Sequence, residues 1–192
     1  MIIGGLLIML KKENTVYIDM ITTCRSGNPD NADINDLVKI TIIDDNGDAL
    51  LNTYVRPHND NTKAWDITLF YYDIPSTVID YAPSIDVVID NIRDIVSSAD
   101  NIVVYNANKI CDYFKKWNLV PITLTDVLAM SSVHNRMMPL ISVAYRCGYF
   151  RDDYHISYRH TADDTIRNAM MLRYVYHIMD KPYIIKQINH IR

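Results

Sequence analysis

Val16-Tyr17-Ile18-Asp19-Met20-Ile21-Thr22-Thr23-Cys24 is the stretch that decides how this chain folds. Apart from Asp19, its first six residues are β-branched, aromatic or large and apolar, the composition of a buried strand. A carboxylate is costly to bury without partners, so Asp19 marks a strand end that opens on polar groups or solvent. Two threonines follow. Residues 24–36 then turn polar and rich in Asn, Asp, Gly and Pro, as expected of a loop over a sheet edge.

Working outward, residues 37–43 and 49–55 read as two more strands. They are joined by Asp44-Asp45-Asn46-Gly47-Asp48, whose Asn-Gly pair is a strong hairpin signal. Residues 84–98 carry Ile85, Val88, Ile89, Ile92, Ile95 and Val96 at the spacing of an amphipathic helix, with Pro83 before it and Ser84 as its N-cap. Residues 102–105 form a short buried strand, and residues 107–117 a helix with Ile110, Cys111, Phe114 and Trp117 on one face. Residues 138–148, with Gly148 as C-cap, and 161–179 are the remaining helices. A strand meander followed by helix, strand and helices predicts an α/β protein: a mixed central sheet of about five strands flanked by helices.

With 192 residues, 49% of them hydrophobic, the chain has enough apolar material for one full core. We place a single domain over residues 15–180, between an N-terminal extension (1–14) and a C-terminal tail (181–192). The apolar start is too short to span a bilayer. Its positive charges, Lys11 and Lys12, follow the apolar run, so neither a membrane span nor a signal peptide is expected, and Met9 is an alternative start. Cys24, Cys111 and Cys147 are odd in number and widely spaced, which points to a reducing, cytoplasmic setting without a disulfide framework. Charge is uneven: residues 1–100 hold 7 basic and 16 acidic side chains, net −9, and residues 101–192 hold 12 and 7, net +5. The second half therefore has room for a basic face. Richness in Ile, Asp, Asn and Tyr with a single glutamate, Glu13, is the composition of an AT-rich source, viral or phage.

Four segments, taken in order, resemble the DEDD 3′–5′ exonucleases (DEDDh type) of the proofreading and ribonuclease T kind, within the ribonuclease H-like fold. The Asp19 strand is similar to the family's apolar-Asp-x-Glu-Thr-Thr-Gly. Tyr81-Ala82-Pro83-Ser84-Ile85 is similar to its Ala-Pro-Ser/Thr stretch leading into a helix. Val103-Val104-Tyr105-Asn106-Ala107 is close to its Val-x-His/Tyr-Asn-Ala, and Arg159-His160-Thr161-Ala162-Asp163-Asp164 to its His-x-Ala-x-x-Asp. The resemblance runs from residue 15 to about 180. It implies a site where four carboxylates hold two divalent cations beside a phosphodiester and a histidine acts as general base.

The motifs are degenerate. Asp19 matches the first metal-bridging aspartate, but Ile21 stands where the glutamate belongs, and a hydrocarbon cannot ligate a hard cation. Glu13, six residues before Asp19, cannot replace it. The family's next aspartate falls on Ile110. Counting from Asn108 instead gives Asp112, but two residues turn a helix by roughly 200°, which sets Asp112 opposite the apolar face. In the last motif the spacing is one residue off. Either a residue is missing between His160 and Asp164, or Asp164 is the retained acid with Arg159 at the histidine's place. Asp163 and Asp164 also suit the first turn of a helix, where they complement its dipole.

Asp19 and Asp164 are thus vestigial metal ligands, His160 a vestigial catalytic residue, Asp112 an alternative ligand, and Ile21 and Ile110 substituted ligand positions. The expected protein is an exonuclease-like pseudoenzyme without hydrolytic activity. It serves as a binding module for single-stranded nucleic acid, through residues such as Asn106, Lys109 and Arg159, or for a protein partner. No cofactor is expected. The alternatives are an active exonuclease using Mg2+ or Mn2+ through relocated ligands, and a structural or host-factor-binding protein with no nucleic-acid role.

Overall fold

The computed structural model describes residues 13–23, 35–56, 62–131, 139–150 and 164–179. Five strands form one mixed sheet in the order β3-β2-β1-β4-β5. β1 (Thr15–Thr22), β2 (Leu37–Asp44) and β3 (Ala49–Tyr54) are an antiparallel meander, while β4 (Asn101–Val104) runs parallel to β1 and β5 (Leu124–Asp126) parallel to β4. The helices are α1 (Thr62–Tyr71), α2 (Ser76–Asp80), α3 (Ile85–Ser98), α4 (Ala107–Lys116), α5 (Val127–Ser131), α6 (Leu140–Arg146) and α7 (Asp164–Ile178). None of the described helices is long and apolar enough to cross a membrane.

The hairpin forms where the Asn-Gly pair predicts it. Asp44 Oδ1 accepts from the N–H groups of Asn46 (2.8 Å) and Asp48 (2.9 Å), and Gly47 takes φ +94°, which few other residues tolerate. Three helices end alike. Asp73, Asn118 and Gly148 each adopt positive φ, and the next residue's N–H reaches back to Leu69, Phe114 and Ala144 O respectively. These are left-handed terminations that satisfy the last carbonyls. Ser84 does occupy the N-cap of α3, but only its carbonyl takes part, and its side chain makes no capping bond.

Alternation along β1 divides the core. Val16, Ile18 and Met20 join Ile40, Ile42, Ile102 and Val104 in a cluster covered by α3 and α4. Tyr17 joins Ile43 and Val103 beneath α6 and α7. Ile21 enters a third cluster with Val38, Trp65 of α1, Ile74 and Ile79. Burying each large aliphatic side chain contributes about 1.5–3 kcal/mol.

Candidate functional site

The carboxyl half of β1 carries the site. Asp19 pairs with Thr41 and Ile21 with Lys39 across β1–β2, and β3 continues the rows with Asn52 beside Thr41 and Tyr54 beside Lys39. Directly paired residues share a face, so these six side chains form a block two deep and three strands wide. One row is polar. Thr41 Oγ1 lies 3.0 Å from Asn52 Oδ1 and 2.8 Å from Thr165 Oγ1, and both threonines are fully buried. Asn168, on the second turn of α7, donates from Nδ2 to Asp19 Oδ2 at 3.0 Å. The other row sets hydrocarbon against a cation. Ile21 is packed with Trp65, and Lys39, only 3% exposed, holds its Nζ 4.8 Å above the Tyr54 ring.

The end of β1 is pinned. The Thr23 N–H donates to Asp36 O (2.9 Å), Thr23 Oγ1 accepts from the Asp36 N–H (2.8 Å), and Trp65 Nε1 donates to Asp36 Oδ2 (3.2 Å). Lys109 on α4 donates from Nζ to Met20 O at 3.2 Å. Asn106 caps α4 with φ +69°, just past β4, so it lies alongside the end of β1. Its position is fixed by Asp126, whose carboxylate accepts from the N–H groups of Asn106 (3.0 Å), Ala107 (3.0 Å) and Leu128 (2.9 Å). One carboxylate thus holds the starts of both α4 and α5.

Asp19, Ile21, Asn106 and Lys109 are therefore gathered at the carboxyl ends of the parallel strands. Ile110 is buried, but it packs with Val16, Ile18 and Met20, the residues alternating with Asp19, and not in the Ile21 cluster. The two substituted positions do not close the site against each other: Trp65 of α1 packs with Ile21 instead. Asp112 is exposed and pairs with Lys115 at 3.6 Å, on the face opposite Ile110 as helical spacing requires. Arg159, His160 and Asp163 lie outside the described residues. Asp164 opens α7 one turn before Asn168, and its side chain is likewise outside them. Sequence reading missed Asn168, Lys39, Thr41 and Asp126, of which only Asp126, directly before a short helix, carried a local capping signal.

Mg2+ and Mn2+, which the family resemblance implies, require clustered oxygen ligands. Among the described residues no three His, Cys, Asp or Glu side chains gather. Among the described residues, the groups around Asp19 are one amide and hydroxyls, with an isoleucine and a buried ammonium in the neighbouring row. That set does not fit a two-ion centre.

The chain shares its fold with solved 3′-exonucleases. It is 14% identical to a full-length 3′-exonuclease, with a TM-score of 0.62 over 90% of this chain and 85% of that one. A 3′-exonuclease that recognises the 3′ end of the histone mRNA stem-loop matches at 14% identity and TM-score 0.61, over 88% of this chain and 64% of its own. The Neurospora crassa Pan2 catalytic unit, which holds protease and nuclease domains, matches at 12% identity and TM-score 0.63, over 86% and 26%. No protein-family model and no curated protein matches the sequence. The fold is the ribonuclease H-like exonuclease architecture that the motifs imply.

Proposed function

We propose that this chain is a DEDD exonuclease-like domain that has lost phosphodiester hydrolysis and binds single-stranded nucleic acid. The observation that carries this reading is the engagement of Asp19 by the Asn168 amide, beside Ile21 packed with Trp65. An amide neutralises nothing, but it gives one carboxylate oxygen a donor without a cation, and an isoleucine offers no ligand. Asn106 and Lys109 stand at the same strand ends, and the net positive charge of the second half supplies phosphate contacts. Solved neighbours are described with a histone mRNA stem-loop and with AAGGAA RNA, which makes single-stranded RNA the first ligand to try.

The test combines cleavage and binding. Labelled single-stranded RNA and DNA stay intact in Mg2+ or Mn2+, and binding is equal in EDTA and falls steeply with salt. Degradation that disappears in Asp19→Ala refutes the loss of hydrolysis. Salt-insensitive binding, or none, favours a protein partner instead.

A further inference from the structure

Nine residues beyond Asn168, the same helix makes a second polar junction with the sheet. Tyr17 on β1, Asp45 in the β2–β3 turn and His177 in the last turn of α7 bring three donor atoms together. Tyr17 Oη donates to Asp45 Oδ1 at 2.9 Å, His177 Nε2 lies 2.8 Å from the same oxygen, and Oη and Nε2 are 3.2 Å apart. Arg173, one turn before His177, donates from Nε to the Asp45 carbonyl at 2.7 Å and fixes the turn. Gly47 is pressed against Met170, so close that a Cβ there would lie 3.3 Å from its Sδ.

A phenol, a carboxylate and an imidazole at the corners of a triangle with 2.8–3.2 Å edges have the size of one face of a coordination octahedron. With metal–ligand distances of about 2.0–2.2 Å, an ion would sit ~1 Å out of that plane. We propose that Tyr17, Asp45 and His177 form a binding site for a transition-metal ion of the Cu2+ or Zn2+ class, separate from the Asp19 site. The nitrogen donor excludes Mg2+, which takes oxygen ligands, and the mixed N/O set suits copper and zinc. Two of the three side chains reach solvent, His177 at 44% and Asp45 at 24% exposed, while Tyr17 lies buried beneath them. Coordination as phenolate releases the Tyr17 hydroxyl proton to solvent. Bound, the ion ties β1, the hairpin turn and the end of α7 together.

Titrating the full chain with CuCl2 and with ZnCl2, against MgCl2, tests the site. One Cu2+ per chain is expected, with a rise in Tm and a visible phenolate-to-copper absorption band that Tyr17→Phe abolishes. His177→Gln and Asp45→Asn should weaken binding by at least the roughly 10- to 100-fold that losing even a supporting partner costs. His177 is half-exposed, so its variant folds, and a loss of binding there is a loss of ligand. No binding, or binding that these variants leave unchanged, overturns the proposal and leaves the junction as a hydrogen-bonded clasp. Neither result bears on nucleic-acid binding, which is measured in EDTA.

Discussion

Toward α3 and α4, the sheet presents an unbroken aliphatic surface: Val16, Ile18, Met20, Ile40, Ile42, Ile102 and Val104, all nearly inaccessible to water. Toward α7 and α1, the same strands present Tyr17, Asp19, Thr41 and Lys39 among the hydrocarbon. The difference lies in how each side tolerates change. The aliphatic side is held by volume and area, so any large side chain that fits serves. The mixed side is held by particular pairs (Asn168 with Asp19, His177 with Asp45), each of which loses a specific hydrogen bond when either side chain is changed. The first side depends on shape alone, and the second on the identity of single polar groups.

The largest effect that bears on this contrast is Ile21→Glu, which puts at this position the acid of the DEDD pattern that the strand resembles. A charge in the Trp65 cluster costs about 3–5 kcal/mol when uncompensated, and Lys39 directly opposite will offset part of it. Desolvation raises the new carboxyl's pKa above its unfolded value, so the deficit is smallest below about pH 4 and grows as pH rises through the folded pKa. Urea melts at pH 4 and pH 7 measure it. An equal deficit at both would mean that the new side chain has escaped to solvent. On the aliphatic side Ile92→Ala should cost about 2–5 kcal/mol with no pH dependence, since only a cavity is made.

A smaller change sharpens the role of the amide. Asn168→Asp sets a second carboxylate about where Nδ2 lies 3.0 Å from Asp19. Without divalent ions it should destabilise by about 1–3 kcal/mol, through the lost hydrogen bond and like-charge repulsion. Mn2+ should then raise the Tm of this variant and leave the parent unchanged. A parent protein that responds equally to Mn2+ would show that a cation site already exists beside Asp19.

What could be read from the sequence divides along the same line. β1, β2 and the hairpin declare themselves through local composition and an Asn-Gly turn, and α3 through its apolar spacing. α1 did not, because apolar residues lie all round it: Trp65 is buried while Ile67 and Phe70 are 66% and 90% exposed, so no single face stands out. β5 is only three residues long, too short for a pattern. At the site, Asp19 and Ile21 were legible because a family motif places them. Asn168 was not, since it meets Asp19 across 149 residues and an asparagine inside a helix announces no partner. Lys39 was hidden too: a lysine in a strand reads as solvent-facing until its cross-strand neighbours are known.

Tyr17→Phe is the mildest test and the one with the clearest pH signature. The phenyl ring keeps its edge-on contact with Tyr176 at 5.9 Å, and Asp45 keeps His177 as a partner, so only the hydroxyl's bond is lost. About 0.5–1.5 kcal/mol should go at pH 7. Because burial and Asp45 raise the folded phenol's pKa above the unfolded value of about 10, the wild-type contribution is complete below that pH. It is lost progressively as pH rises further, when the unfolded chain ionises and the folded one resists. Melts between pH 9 and 11.5 should therefore show the parent losing its advantage over Tyr17→Phe, the two curves converging and then crossing. Parallel curves across that window would place the hydroxyl in contact with water, and the α7 junction would then be an exposed contact that contributes little to stability.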